Sequence, residues 1–115
     1  MIKITWKRDA NGCIRAFSVI GHAGAAPKGK DIVCAAVSAL AQSAVLGLER
    51  HLRRKMRVIW REGCLEATIF NPPPDAMTDA VLETMLLGLR EIAAQYPDFV
   101  KLEAAEFESL REPRR

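Results

Sequence analysis

The sequence has 115 residues and a mass of 12.7 kDa, which is enough chain for one hydrophobic core and too little for two. Half of the residues are apolar and 27% are charged, a balance that excludes a disordered tail or a fibre. The net charge of +3 does not by itself predict nucleic-acid binding. Residues 1–57 carry a net charge of +8 and residues 58–115 one of −5, which indicates either a surface field that steers a partner or chance placement.

Three cysteines, Cys13, Cys34 and Cys64, are an odd number and form no C-x-x-C pair. That pattern argues against a disulfide scaffold and against a zinc site of the usual spacing, so we expect no metal or cofactor. Apolar and polar residues alternate from the start of the chain, and the first charge comes early, unlike in a secretory signal. The cysteine pattern and this N-terminus predict a protein of the reducing cytoplasm. Residues 32–48 lack charge but are too short for a typical membrane span, so we expect a buried helix and no membrane contact.

The chain opens with an alternating strand over residues 2–8. Residues 9–12 form a hairpin turn in which Asn11 and Gly12 are expected to supply positive φ angles. Residues 13–20 are the return strand. Its alternation places four residues on one face, Ile14, Ala16, Ser18 and Ile20.

A glycine-rich loop over residues 21–30 separates this hairpin from a helix. Asp31 is a good N-cap, and the helix is predicted to continue to about Arg50. It is apolar nearly all round, which requires cover on more than one side. A sheet on one side and a second subunit on another would provide that cover.

A second strand pair is predicted over residues 55–61 and 64–71, joined by a turn at residues 61–63. Asp75 caps a second helix. The helix has one apolar face, Met77, Val81, Met85, Leu89, Ile92 and Tyr96. Residues 100–107 alternate as a last strand.

The order β-β-α-β-β-α-β defines an α+β domain with two helices packed on a mostly antiparallel sheet. We expect one domain over residues 1–110 and a frayed, charged end over residues 111–115.

Cys34 is the third residue of the first predicted helix, where free N–H groups and the positive end of the helix dipole stabilise a thiolate. The same N–H groups suit the oxyanion of a tetrahedral intermediate. His22 follows a strand eleven residues earlier, near enough for the chain to double back and bring a general base to the thiol. Spacing alone also allows a packed core cysteine and a surface histidine.

The motif over residues 21–40 adds a resemblance. Gly21-His22-Ala23, a glycine-rich loop and then Gly29-x-Asp31-Ile-Val-Cys34-Ala-Ala-Val-Ser38 resemble the ribosomal-processing cysteine protease family (Prp, YsxB-like). The resemblance implies a thiol protease with a catalytic dyad at His22 and Cys34 and a mobile loop over residues 23–30. It also implies a homodimer and a ribosomal substrate. That substrate is the twenty-seventh large-subunit ribosomal protein, whose N-terminal extension is cut after an aromatic pair.

Four further residues of the motif have two possible roles each. Asp31 is either a helix cap or a group that orients His22, and Ser38 either lines the cleft or bonds to the backbone one turn back. Gly21 and Gly29 are either hinges of the loop or turn residues with positive φ.

The alternative function is a non-catalytic ribosome- or RNA-associated module. Its phosphate contacts would come from the basic segment 50–57. That segment lacks interleaved aromatic residues and any known RNA motif, which makes a solvated helix end the simpler interpretation and nucleic-acid binding the weaker expectation.

Overall fold

The computed structural model describes residues 1–22, 31–71 and 75–105. The strands are β1 (Ile2–Arg8), β2 (Ile14–Gly21), β3 (Lys55–Arg61), β4 (Cys64–Asn71) and β5 (Val100–Ala104). The helices are α1 (Ile32–Leu46), which continues as a π-helical turn over Gly47–His51, and α2 (Ala76–Gln95). The predicted order β-β-α-β-β-α-β is confirmed.

The five strands form one mixed sheet in the order β3-β4-β2-β1-β5. Every neighbouring pair is antiparallel except β1 and β5, which are parallel. The two helices contact each other and cover one face of the sheet. Strand alternation follows from this one-sided cover: Ile2 and Ile4 of β1 are buried, whereas Lys3 between them is exposed.

The predicted face of β2 is wrong at its first residue. Ile14 pairs with Arg8, whereas Ala16 pairs with Lys7, so the register shifts by one residue between them. This bulge transfers Ile14 to the helix-covered face, where only 2% of it is exposed. Strict alternation could not predict that transfer, because a bulge changes the face of every residue before it.

The first turn also differs from the prediction. Gly12 has a φ of +84°, but Asn11 does not have a positive φ. The turn is held instead by Asp9, whose carboxylate accepts the N–H groups of Asn11 and Cys13 at 2.9 and 3.1 Å. An aspartate that accepts from the backbone two residues on replaces the primed turn that Asn-Gly predicts.

One face of helix α1 lies at the centre of the hydrophobic core. Its buried residues are Val33, Val37, Ala41, Ala44 and Val45, and Leu48 extends the row into the π-helical turn. By length and composition alone this helix would be apolar enough to cross a membrane, as core helices of soluble proteins often are. Leu40 packs closely on α2 at Gly88, where a Cβ would lie 2.8 Å from a Leu40 methyl group. Because Gly88 has no side chain, α1 and α2 can approach each other closely at this point.

The predicted apolar face of α2 is wrong in its first turn. Met77 is 64% exposed, whereas Thr78 and Leu82 are buried. Arg54, which follows the π-helical turn, donates to the Thr78 hydroxyl at 2.8 Å and so fixes the inward side of the helix start. Strand β5 ends at Ala104. The predicted continuation to residue 107 and the end at 111–115 lie outside the described residues.

Candidate active site

The start of α1 places Cys34 in the first helical turn. Asp31 is the N-cap, with extended backbone angles, and its carboxylate accepts the N–H of Cys34 at 2.9 Å. The Asp31 carbonyl accepts the N–H of Ala35 at 3.1 Å. These two bonds fix the backbone on both sides of the sulfur-bearing residue, so the cap determines where the thiol lies.

A cavity of about 310 Å³ opens beside this helix start, between α1 and the adjoining end of the sheet. Both Cys34 and His22 line it. Its apolar lining is Ile2, Val19, Val37, Ala41 and Leu65. Its polar lining is Ser38, Gln42, Arg61 and Glu62. A half-buried thiol and an exposed imidazole thus share a pocket with an apolar floor and a polar rim.

His22 follows the last residue of β2 and is held through its neighbours. Gly21 donates its N–H to the carbonyl of Gly63, in the turn between β3 and β4, at 2.9 Å. The imidazole lies over that same turn, because a Cβ at Gly63 would be 3.0 Å from its Nε2 atom. Cys34 and His22 make no hydrogen bond to each other within the part of the chain that the structure describes. Catalytic bonds are often long before substrate binds, so this geometry does not argue against a dyad.

The other residues of the predicted site divide into two groups. Ser38 lines the cavity one turn beyond Cys34, and Gly21 also lines it. Gly21 has a φ of +102°, and a Cβ there would overlap the carbonyl oxygen of Met1, so this position requires glycine. Gly29 and the loop 23–30 lie outside the described residues.

Sequence reasoning missed the side of the cavity that the β3–β4 hairpin supplies, which is lined by Trp60, Arg61, Glu62, Gly63 and Cys64. Trp60 closes one side and is 45% exposed, although it lies on a strand. Pairing of Trp60 with the buried Leu65 puts it on the helix-covered face, at the outer strand of the sheet. An aromatic residue at the end of a predicted strand was the available signal, but only the sheet order shows that it reaches Cys34's cavity.

Of the two remaining cysteines, Cys13 lies outside the lining of the cavity, whereas Cys64 lines the same cavity as Cys34. Burial, followed by the charges of Asp9 and Asp79, raises the pKa of the Cys13 thiol, which keeps it protonated at neutral pH. The Cys64 thiol donates to a Glu66 carboxylate oxygen at 3.9 Å. Over residues 1–22, 31–71 and 75–105, no group of three or more His, Cys, Asp or Glu side chains could hold a metal ion.

A cysteine at a capped helix start, in a cavity that also contains a histidine, defines a thiol-dependent hydrolase as the class of protein. The sequence model of the family described as cysteine protease Prp matches residues 1–101. The chain belongs to this family and is a cysteine protease. No curated protein matches the sequence.

Solved structures show the same fold. The essential ribosomal processing protease Prp from Staphylococcus aureus, in complex with a covalently linked product peptide, superimposes with a TM-score of 0.84 at 23% identity, over 91% of this chain and 100% of that one. The same protease with a substrate peptide gives 0.80 at 22% identity, over 91% and 100%. SMU.848 from Streptococcus mutans gives 0.72 at 29% identity, over 90% and 93%.

Proposed function

We propose that this protease removes the N-terminal extension of the twenty-seventh large-subunit ribosomal protein, with Cys34 as nucleophile and His22 as general acid and base. The observation that carries the proposal is that both side chains line one cavity at the start of α1. The similarity to the S. aureus ribosomal processing protease, solved in complex with a substrate peptide, supports the class of substrate.

The proposed reaction has two halves. His22 takes the thiol proton of Cys34, the sulfur attacks the scissile carbonyl, and a tetrahedral oxyanion forms. The C–N bond then breaks as His22 gives its proton to the leaving amine. A water molecule, deprotonated by His22, attacks the thioester that is left, and the C–S bond breaks to release the carboxyl product and restore the thiol. No metal or cofactor takes part in this scheme.

The structure modifies one part of the sequence-based mechanism. The N–H of Cys34 donates to Asp31 and that of Ala35 donates to the Asp31 carbonyl, so neither is free for a substrate oxyanion. We therefore assign the oxyanion to the two preceding N–H groups of the helix, those of Ile32 and Val33, which point out of its N-terminus.

The cavity supports an aromatic residue on the acyl side of the cut. Its floor is formed by buried aliphatic side chains, and Trp60 offers an exposed aromatic edge or face beside them. An aromatic substrate side chain packs favourably in such surroundings, since aromatic pairs contribute about 0.5–1.5 kcal/mol beyond the area they bury.

The test uses a peptide that copies the extension and the first mature residues, with products read by mass spectrometry. We expect one cut by the wild type, and a loss of roughly 10³-fold or more for Cys34→Ala and His22→Ala. Cys13→Ala is the matched control and retains activity, because Cys13 lies at the β1–β2 turn and is not among the residues that line the cavity. A cut that persists in Cys34→Ala contradicts the mechanism.

The alternative RNA-associated module is weakened by the position of Arg54. This residue pairs with Asp75 at 3.0 Å and donates to Thr78 and to the Leu52 carbonyl, so it joins two elements and its side chain is only 20% exposed. Arg54, at the centre of the basic segment 50–57, is therefore engaged within the fold and is not available to bind a phosphate. Arg53→Gln and Arg57→Gln, which change exposed residues, test the alternative by the salt dependence of RNA binding.

The proposal includes a homodimer in the cytoplasm. Its support is the outer side of the helix pair, where Ile32 and Leu87 are 69% and 61% exposed. Three cysteines without a disulfide are consistent with a reducing compartment.

A further inference from the structure

We infer that Gly63, in the turn between β3 and β4, is a positioning residue for the His22 imidazole. This inference rests on the proposed function, because it assigns the reason why the imidazole lies where it does. The turn is some forty residues from His22 in sequence, and its Arg61 and Glu62 line the same cavity as the imidazole.

The first argument is steric. A Cβ on Gly63 would lie 3.0 Å from Nε2 and 3.7 Å from both ring carbons Cδ2 and Cε1 of His22. A contact of 3.0 Å is tighter than nearly all real Cβ contacts, so any side chain here displaces the ring by a few tenths of an ångström. The absence of a Cβ at Gly63 therefore leaves the space that the imidazole edge occupies.

The second argument is the backbone connection between the same two places. Gly21, the residue before His22, donates its N–H to the Gly63 carbonyl at 2.9 Å. The carbonyl of Gly63 therefore anchors the backbone that carries His22, while its bare Cα faces the side chain. The turn constrains the histidine at two points, and both lie on the rim of the cavity that contains Cys34.

The chain contains a matched control in its other hairpin. Gly12 also lies in a two-strand turn with a positive φ, +84° against +72° for Gly63, but a Cβ there meets nothing within 4 Å. Alanine therefore adds similar backbone strain at both positions. Only at Gly63 does it also press on the imidazole, so the difference between the two variants isolates the effect on His22.

The experiment compares Gly63→Ala with Gly12→Ala in the full chain, for kcat against pH on the extension peptide. We expect Gly63→Ala to lower kcat by roughly tenfold and to shift the acidic limb of the profile, because small displacements of a catalytic group are costly. Gly12→Ala should stay within about twofold of the wild type, with the same limb. Equal effects of the two variants on kcat and pH profile, or a rise in kcat for Gly63→Ala, overturn the inference.

Two further measurements keep the test decisive. Should strain unfold the alanine variants, Gly63→Asn and Gly12→Asn replace them, because asparagine adopts a positive φ more readily and still carries the Cβ. The NMR resonances of the His22 ring report its surroundings without any substrate. If the wild type cuts no peptide, the proposed function has failed. A His22 ring resonance that moves only in the Gly63 variant still supports the inference that Gly63 positions the imidazole. Unmoved resonances in both variants overturn it.

Discussion

At the scale of single residues, Asp31 links helix stability to the position of Cys34, the proposed nucleophile. Its carboxylate accepts the N–H of Cys34, and its carbonyl accepts that of Ala35. A cap of this kind contributes about 1 kcal/mol to a helix. Here the capped amide belongs to Cys34, the proposed nucleophile, so loss of the cap loosens the backbone from which the thiol projects.

Two substitutions separate the cap from a role in orienting His22 by charge. Asparagine caps helices as well as aspartate does but is neutral, whereas alanine neither caps the helix nor carries a charge. We expect Asp31→Asn to keep kcat within about twofold and Asp31→Ala to lower it by roughly tenfold, since the sulfur is then poorly held. For both variants, peptide cleavage measures kcat and thermal unfolding measures stability. A large loss of activity in Asp31→Asn with unchanged stability would show that the negative charge itself is required.

At the scale of elements, Arg54 and Asp75 join the end of the first helical segment to the start of α2. Asp75 caps α2 by accepting from the Thr78 N–H at 2.9 Å and from its hydroxyl at 3.0 Å. Arg54 pairs at 3.0 Å with Oδ2 of the same carboxylate, the oxygen that also accepts the Thr78 hydroxyl. The Thr78 backbone bond first, and then the Thr78 hydroxyl and Arg54, lower the pKa of Asp75 below its ordinary value of 3.8.

This lowered pKa predicts how stability depends on pH. A carboxylate with a folded-state pKa below its unfolded value contributes its full stability above the unfolded pKa and loses it as the pH falls through the folded one. We expect Asp75→Ala to cost about 1 kcal/mol of unfolding free energy at neutral pH. Asp75→Asn should keep most of the cap and flatten the loss of stability below about pH 4.

Urea unfolding at neutral pH and at several values below about pH 4 measures this. Asp98→Asn is the control, because Asp98 is an exposed carboxylate in the turn before β5. It should leave the acid dependence unchanged. An Asp75→Asn variant with the wild-type acid dependence would contradict the assignment.

The elements themselves follow from local sequence signals. Alternation, caps and turn residues predict β1, β3, β4, α1 and the N-cap of α2 closely, because each signal depends on neighbours in the chain. The errors arise where distant contacts decide. The bulge at Arg15 and the contact of Arg54 with the buried Thr78 depend on partners in other elements.

The site shows the same division. His22, Cys34, Asp31 and Ser38 are recognisable within one continuous motif. Trp60 and Gly63 reach the cavity only because β4 lies between β3 and β2, which brings the β3–β4 turn against the end of β2. That sheet order is not encoded in any local pattern.

At the scale of the whole molecule, the helix pair has an apolar outer side that the sheet does not cover. A groove of about 420 Å³ runs between α1 and α2, and its lining is mainly apolar, Leu40, Ser43, Ala44, Ala80, Val81, Thr84 and Met85. Met77 and Leu87, which extend the same stripe of α2 in both directions, are 64% and 61% exposed. Contiguous apolar surface of this kind marks an interaction site.

We expect this surface to form the homodimer interface, so a charge there should separate the subunits. Leu87→Glu introduces a carboxylate that would be buried without a partner in the dimer, at a cost of several kcal/mol, but remains solvated in the monomer. Phe70→Glu is the matched control, because Phe70 is similarly exposed, at 58%, but lies on β4 and not on the helix pair. Light scattering after gel filtration should give two chains for the wild type and Phe70→Glu, and one for Leu87→Glu. Dissociation by Phe70→Glu alone would place the interface at β4, and the exposed side of the helices would then need a different explanation.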